Sequence, residues 1–166
     1  MLTFRAAERS DVPVILALLA DDKVSRARDG AVSESVDAAH WAAFEAIDAD
    51  PSNELIVACS TDGSGDGDGD GDGDGDGEIV GTFQLTFTPS LIRGGASRMT
   101  IEAVRVRSDR RGGGLGRQMM TWALDRGRAR GATIAQLTSD KNRPEAHRFY
   151  ESLGFAATHV GMKRAL

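Results

Sequence analysis

Two periods run through the distribution of apolar and polar residues along this chain. Alternation with a period of two sends successive side chains to opposite faces of a strand. It marks residues 3–6, 54–60, 78–88, 98–107 and 133–139, and a last such run covers 156–164. Helical spacing takes over in residues 12–19, 33–48, 115–130 and 142–154. The boundaries carry their own chemistry. Asp11 caps the first helix with Pro13 in its first turn, and Gly131 ends the third behind Arg126, Arg128 and Arg130. Asn142 and Pro144 open the fourth helix and Gly154 closes it. In the second, Val36, His40, Ala43, Phe44 and Ile47 form the stripe, which makes His40 a core or edge residue. Residues 54–60 and 78–88 are predicted to pair as an antiparallel hairpin, whereas the strand, helix, strand unit from 98 to 139 must be parallel with a right-handed crossover. The fold class is therefore α/β (α+β).

Composition adds three points. At 166 residues the chain fits a single domain, 1–166, with enough core to fold without staples. The net charge of −5 comes from one place: residues 62–77 hold seven aspartates and no basic residue, so the rest of the chain carries +2. That alternating Gly-Asp tract has no apolar surface to bury and is expected to be a disordered acidic loop. A calcium-binding β-roll would need an apolar residue in every nine-residue repeat, and the tract has none. The slightly basic remainder, with arginines clustered between 105 and 117, suits a small anionic ligand and not a nucleic-acid surface. Cys59, the single cysteine, lies within an apolar strand and reads as a buried, inert thiol. With no leader-like N-terminus and no apolar run of membrane-spanning length, a reducing, cytoplasmic location is expected, without membrane contact and without a metal.

The stretch with most chemical content is Arg110-Arg111-Gly112-Gly113-Gly114-Leu115-Gly116, between a strand and a helix. Glycines allow positive φ and close approach of a ligand to the backbone. The first helical N–H groups have no intrahelical partner, and an anion fits there. Arg110, Arg111 and Arg117 add forked donors. A Walker A loop is excluded because Arg117-Gln118 stands where Lys and Ser/Thr would be needed, and the dinucleotide spacing is absent too. On these residues alone the stretch is a phosphate site or a purely structural turn.

Two stretches together resemble the GNAT superfamily of N-acetyltransferases. Arg111 to Gly116 is similar to its pyrophosphate loop, Arg/Gln-x-x-Gly-x-Gly/Ala, and residues 142–155 are similar to its Asn, Ala, Phe-Tyr, Gly-Phe segment. The resemblance runs over the whole chain apart from the acidic loop. Ser108 departs from it, since proline is common two positions after the residue matching Val106; the departure is expected to affect the turn more than the chemistry. The resemblance implies a mixed, mostly antiparallel sheet, splayed open near Val104 at the cofactor site and flanked by about four helices. It implies acetyl-CoA as co-substrate, held by Val104, Val106, Arg111, Gly112, Gly113, Gly114, Gly116, Arg117 and Asn142, with Tyr150 close to the sulfur.

An amine attacks a thioester only when neutral, and the departing thiolate needs a proton or a hydrogen bond. Tyr150 can meet the second need, since a phenol donates; otherwise it is a core aromatic. Glu102, which simple alternation puts on the face of Val104 and Val106, either binds or deprotonates the amine or is a solvated strand carboxylate. His147 is expected on the outer side of its helix, and His159 belongs to no constellation. The expected activity is direct transfer of an acetyl group to a primary amine of a small molecule or a peptide; the alternative is a non-catalytic acyl-CoA-binding or regulatory module of the same fold. Asp21, Asp22 and Glu34 are candidates for attracting a cationic amine, and a homodimer is expected by analogy only.

Overall fold

A computed structural model describes residues 1–21, 36–61 and 77–166. Its centre is a sheet of five strands lying side by side in chain order: β1 (Leu2–Ala6), β2 (Asn53–Ser60), β3 (Glu78–Thr88), β4 (Ser97–Val106) and β5 (Ala132–Gln136). The first three pairings are antiparallel and β4 with β5 is parallel. This is the mixed, mostly antiparallel sheet expected from the sequence. Four α-helices occur among the described residues: α1 (Val12–Ala20), α2 (Ala38–Ala49), α3 (Leu115–Ala129) and α4 (Pro144–Glu151).

Strand β2 shows why both faces are covered. Ile56 and Ala58 enter a cluster with Phe83, Leu85, Met99, Ile101 and Met119, Met120 and Ala123 of α3. Val57 and Cys59 point the other way, onto Val12, Ile15 and Leu16 of α1 and Phe44 of α2. Cys59 is fully buried, as its apolar setting predicts. Trp122 belongs to the core too, stacked on Phe4 at 5.2 Å and edge-on to Phe83 at 5.8 Å. The C-terminal end of α3 is pinned to the sheet by Glu54, whose carboxylate accepts from Arg126 at 2.8 Å and Arg130 at 2.6 Å. These hydrogen bonds, Arg126 foremost, hold the Glu54 carboxyl below its ordinary range despite the opposing effect of burial. Gly131 (φ 76°) ends α3 and Gly154 (φ 88°) lies just past α4, both in the left-handed conformation usual after a helix.

Some expectations are corrected. Helix α2 begins at Ala38 behind Asp37, whose carboxylate accepts the His40 N–H at 3.0 Å while His40 Nδ1 accepts the Asp37 N–H at 3.3 Å. His40 is therefore part of a cap. Residues 156–164 are not a strand, although they alternate. The Thr158 N–H closes a tight turn on the Ala156 carbonyl at 2.9 Å, which removes this segment from an extended path, and Val160 and Met162 stay exposed. The loop at 21–31 beyond Asp21, the start of the helix at 33, Asp22, Glu34 and the acidic tract lie outside the described residues. Among those described, no helix is long and apolar enough to cross a membrane.

Candidate active site

The site is built on an interruption of the sheet. Strands β4 and β5 pair only from Ser97 opposite Ala132 to Thr100 opposite Gln136. Beyond that point β4 continues to Val106 with β3 as its partner, and residues 137–139, expected in β5, leave the ladder. A wedge opens between the two strands. At its start Ala103 has φ 52°, a left-handed conformation that costs a non-glycine residue about 1–2 kcal/mol. There the register slips: Gln84 faces Glu102, and two positions along β3 Thr82 faces Arg105. Strand β4 thus carries one extra residue, a bulge.

The bulge reverses the phase of the alternation. Met99 and Ile101 before it, and Val104 and Val106 after it, all pack on the same cluster. Glu102 therefore does not share the face of Val104 and Val106, which corrects the expectation from simple alternation; it is exposed. The Arg107 N–H donates to the Val80 carbonyl at 2.9 Å, so the backbone groups of Val106 and Val104 point away from β3, into the wedge. Two arginines meet them there. Arg105 Nη1 donates to the Val104 carbonyl at 2.8 Å, and Arg111 Nε donates to the Val106 carbonyl at 3.0 Å.

Past β4 the chain makes a short 3-10 turn, Ser108–Arg110, and enters the glycine stretch. Gly112 (φ 83°) and Gly114 (φ 81°) are left-handed, and a Cβ at either would meet nothing within 4 Å, so the turn is an open backbone surface. Among the described residues, the N–H groups of Gly112, Gly113 and Gly114 make no backbone hydrogen bond. Gly114 caps α3, and the N–H groups of Leu115, Gly116 and Arg117 follow in its first turn. Gly116 is placed differently: a Cβ there would lie 3.4 Å from Phe149 Cζ and 3.9 Å from Val106 Cγ2, ordinary contact distances, so this residue sits where α3 meets α4 and β4. The side chains of the two candidate arginines face elsewhere. Arg117 donates to Ser152 Oγ at 2.9 Å, tying α3 to α4, and Arg111 reaches back to β4 and to Asp21 at 3.0 Å. Asp21 also accepts the Ser108 N–H, which a proline would lack, at 3.1 Å. Position 108 thus alters the bonding of the turn, and Asp21 is engaged with an arginine instead of standing as a solvated loop carboxylate.

Helix α4 brings in Tyr150. Its ring contacts Phe149 at 5.2 Å and Phe155 at 6.0 Å and packs against the main core. Its hydroxyl makes no hydrogen bond among the described residues. Burial raises the phenol's pKa above its ordinary value, and the nearby Arg143 and Arg105 guanidiniums offset part of that rise. The phenol is thus protonated across the physiological range, with two cations close by. Neither arginine stands out in the sequence; the i, i+7 spacing of Arg143 and Tyr150 is the signal that the sequence offers. Asn142 lies in the exposed turn before α4, where its N–H donates to Asp140 Oδ1 at 2.9 Å. His147, expected on the outside, is half-buried with Nε2 at 2.9 Å from the Asp140 carbonyl oxygen. The geometry thus sets Gly116 beside Val106 and Phe149, links Val104 to the surroundings of Tyr150 through Arg105, leaves Asn142 in the exposed turn before α4, and sets Glu102 on the other face.

The sequence model of the acetyltransferase (GNAT) family matches residues 33–155. The chain belongs to this family. Among solved structures, a transcriptional regulator from Bacillus halodurans C-125 is 42% identical, with complete coverage of both chains and a TM-score of 0.84. An acetyltransferase of Trypanosoma brucei is 26% identical, again over both complete chains, with a TM-score of 0.71. A segment of 56 residues is 36% identical to the aminoalkylphosphonate N-acetyltransferase of Salmonella typhimurium; it spans 34% of this chain and 36% of that relative. GNAT acetyltransferases generally use acetyl-CoA as co-substrate.

Proposed function

We propose that this GNAT protein is an acetyl-CoA-dependent N-acetyltransferase that moves the acetyl group directly to a primary amine of a small molecule or a peptide. The observation that carries the reading is the approach to one wedge of an open glycine turn, a strand edge that has left its β5 partner and a protonated phenol without a hydrogen-bond partner among the described residues. The residues fit the co-substrate. The N–H groups of Gly112, Gly113, Gly114 and Gly116 suit a pyrophosphate, with Arg111 and Arg117 as nearby charge. The backbone of Val104 and Val106, whose carbonyls now accept from Arg105 and Arg111, would meet the amides of the pantetheine arm, and Asn142 would contact that arm near its thiol end. When bound, acetyl-CoA supplies an activated acyl carbon.

The remaining chemistry belongs to side chains and water. As the C–N bond forms, the amine loses a proton, and water is the acceptor in this proposal, since Glu102 lies on the other face of β4. As the C–S bond breaks, negative charge grows on sulfur and Tyr150 donates to it. A raised phenol pKa makes full proton transfer to a thiolate uphill, so the hydrogen bond is the main contribution of Tyr150. The guanidiniums of Arg105 and Arg143 favour any phenolate that forms. Cys59, buried on the opposite face of the sheet, takes no part.

The phosphonate-bearing acceptors named for the Salmonella relative make small amines with an acidic group the first acceptors to test, and the cations beside Tyr150 are compatible with them. The second reading, a regulatory module that binds acyl-CoA without turnover, is favoured by the Bacillus structure, a transcriptional regulator. Free thiol released from acetyl-CoA over a panel of amines separates the two, because a module binds without release. Tyr150→Phe is expected to lower kcat about 100-fold with acetyl-CoA affinity unchanged, a size typical of losing one hydrogen-bond donor aimed at developing negative charge. Wild-type turnover in that variant would remove Tyr150 from the mechanism.

A further inference from the structure

Asp21 follows the last residue of α1, yet its bonds go to the turn that leads out of β4. Its Oδ2 accepts the Ser108 N–H at 3.1 Å and Arg111 Nη2 at 3.0 Å, and its backbone carbonyl lies 3.4 Å from the same Nη2. Arg111 Nε is meanwhile bound to the Val106 carbonyl at 3.0 Å. One guanidinium is therefore clamped between the end of a helix and the end of a strand, and the carboxylate also holds the turn's first N–H.

The glycine stretch needs such an anchor. Gly112 and Gly114 have empty space around them, and glycine restricts its own backbone least of all residues, so nothing inside the stretch sets its direction. Its far end is fixed by α3, where Gly116 packs beside Phe149 and Val106. Its near end is Arg111, whose side-chain bonds among the described residues are those to Val106 and Asp21.

We propose that Asp21 is a positioning residue for the cofactor-binding turn: by holding Ser108 and Arg111 it fixes the direction in which the chain enters Gly112–Gly116. The inference rests on the reading of that turn as the pyrophosphate site. The sign of the effect is diagnostic. Asp21 is an anion beside an anion site, so its charge alone opposes pyrophosphate, and removing it would tighten binding if electrostatics were its only role. A positioning role demands the reverse.

Calorimetric titration of the full-length protein with acetyl-CoA tests this. Asp21→Ala is expected to raise the Kd about five- to tenfold, the size of one exposed ion pair plus one hydrogen bond. Acetyl-pantetheine, which has no pyrophosphate, is expected to bind both proteins alike. Asp21→Asn keeps an acceptor oxygen and is expected to stay within about twofold of wild type. Ser108→Pro is expected to restore most of the loss in the Asp21→Ala background. Proline needs no acceptor for an N–H and fixes φ near −65°, and Arg107 already has the ψ of 138° that the residue before a proline requires. Equal or tighter acetyl-CoA binding by Asp21→Ala, an equal loss for acetyl-pantetheine, or no recovery with Ser108→Pro overturns the proposal while leaving the pyrophosphate reading in place. Wild-type protein that does not bind acetyl-CoA overturns that reading and the proposal with it.

Discussion

Gly81 tests how tightly the site is supported from beneath. It lies in β3 opposite Val106, where β4 leaves the ladder for the glycine turn. In Gly81→Ala the new Cβ would lie 2.9 Å from the Arg105 carbonyl oxygen, 2.8 Å from Met119 Sδ and 3.0 Å from Met119 Cε. Those separations are shorter than van der Waals contact, and neither neighbour yields easily. The carbonyl belongs to a paired strand, and Met119 is fully buried. Overpacking of this kind costs about 1–3 kcal/mol, while the stiffer unfolded chain returns about 0.4–1 kcal/mol, since φ at Gly81 is not in the left-handed region. The net loss is about 1–2 kcal/mol, or roughly 2–8 °C in Tm for a chain of this size. Thermal melting followed by circular dichroism measures it. Because the displaced strand carries the Val104 and Val106 carbonyls, acetyl-CoA affinity is expected to fall as well. Combining Gly81→Ala with Met119→Ala gives the methyl somewhere to go, so the double variant should be more stable than the sum of the single losses predicts. A Tm at or above wild type for Gly81→Ala would refute the reasoning, and strict additivity would remove Met119 from it.

Two further predictions concern the frame of the site. Glu54→Gln breaks the clamp on Arg126 and Arg130 and is expected to cost about 1 kcal/mol at neutral pH. The folded-state pKa of Glu54 is depressed, so its contribution is complete above the ordinary glutamate value of about 4.3 and is lost as pH falls through the lower folded value. The Tm difference between wild type and variant should therefore shrink only at acid pH, and a difference that persisted undiminished there would contradict the assignment. At the bulge, Ala103→Gly should be nearly neutral, since relief of strain offsets greater freedom in the unfolded chain. Ala103→Val, β-branched at φ 52°, should destabilise by about 2 kcal/mol or more and weaken acetyl-CoA binding. Equal melting of the two variants would show that the strained geometry is not needed.

The local pattern alone determined the order of the elements: alternation in β2 and β3, the Pro13 and Gly131 boundaries of α1 and α3, and the apolar face of Phe149, Tyr150 and Leu153. These are properties of a residue and its near neighbours, where period and steric preference suffice. The glycine turn belongs with them, because its glycines announce the left-handed geometry that Gly112 and Gly114 adopt. What depends on partners far along the chain was decided by tertiary structure. The bulge gave no signal, since alanine is not a residue that favours positive φ, and one extra residue moved Glu102 off the face of Val104 and Val106. Residues 156–164 alternate as a strand does, but a strand exists only when it finds a ladder. The contact of Arg111 with Asp21, 90 positions away, and the influence of Arg105 on Tyr150, 45 positions away, arise from three-dimensional proximity that no short window of sequence contains, whereas Arg143 stands seven positions before Tyr150, within reach of the helical period. The sequence thus determined where the backbone turns openly on glycine ahead of a helix. Only the fold decided which side chains surround that turn, because their energies come from neighbours that folding brings together.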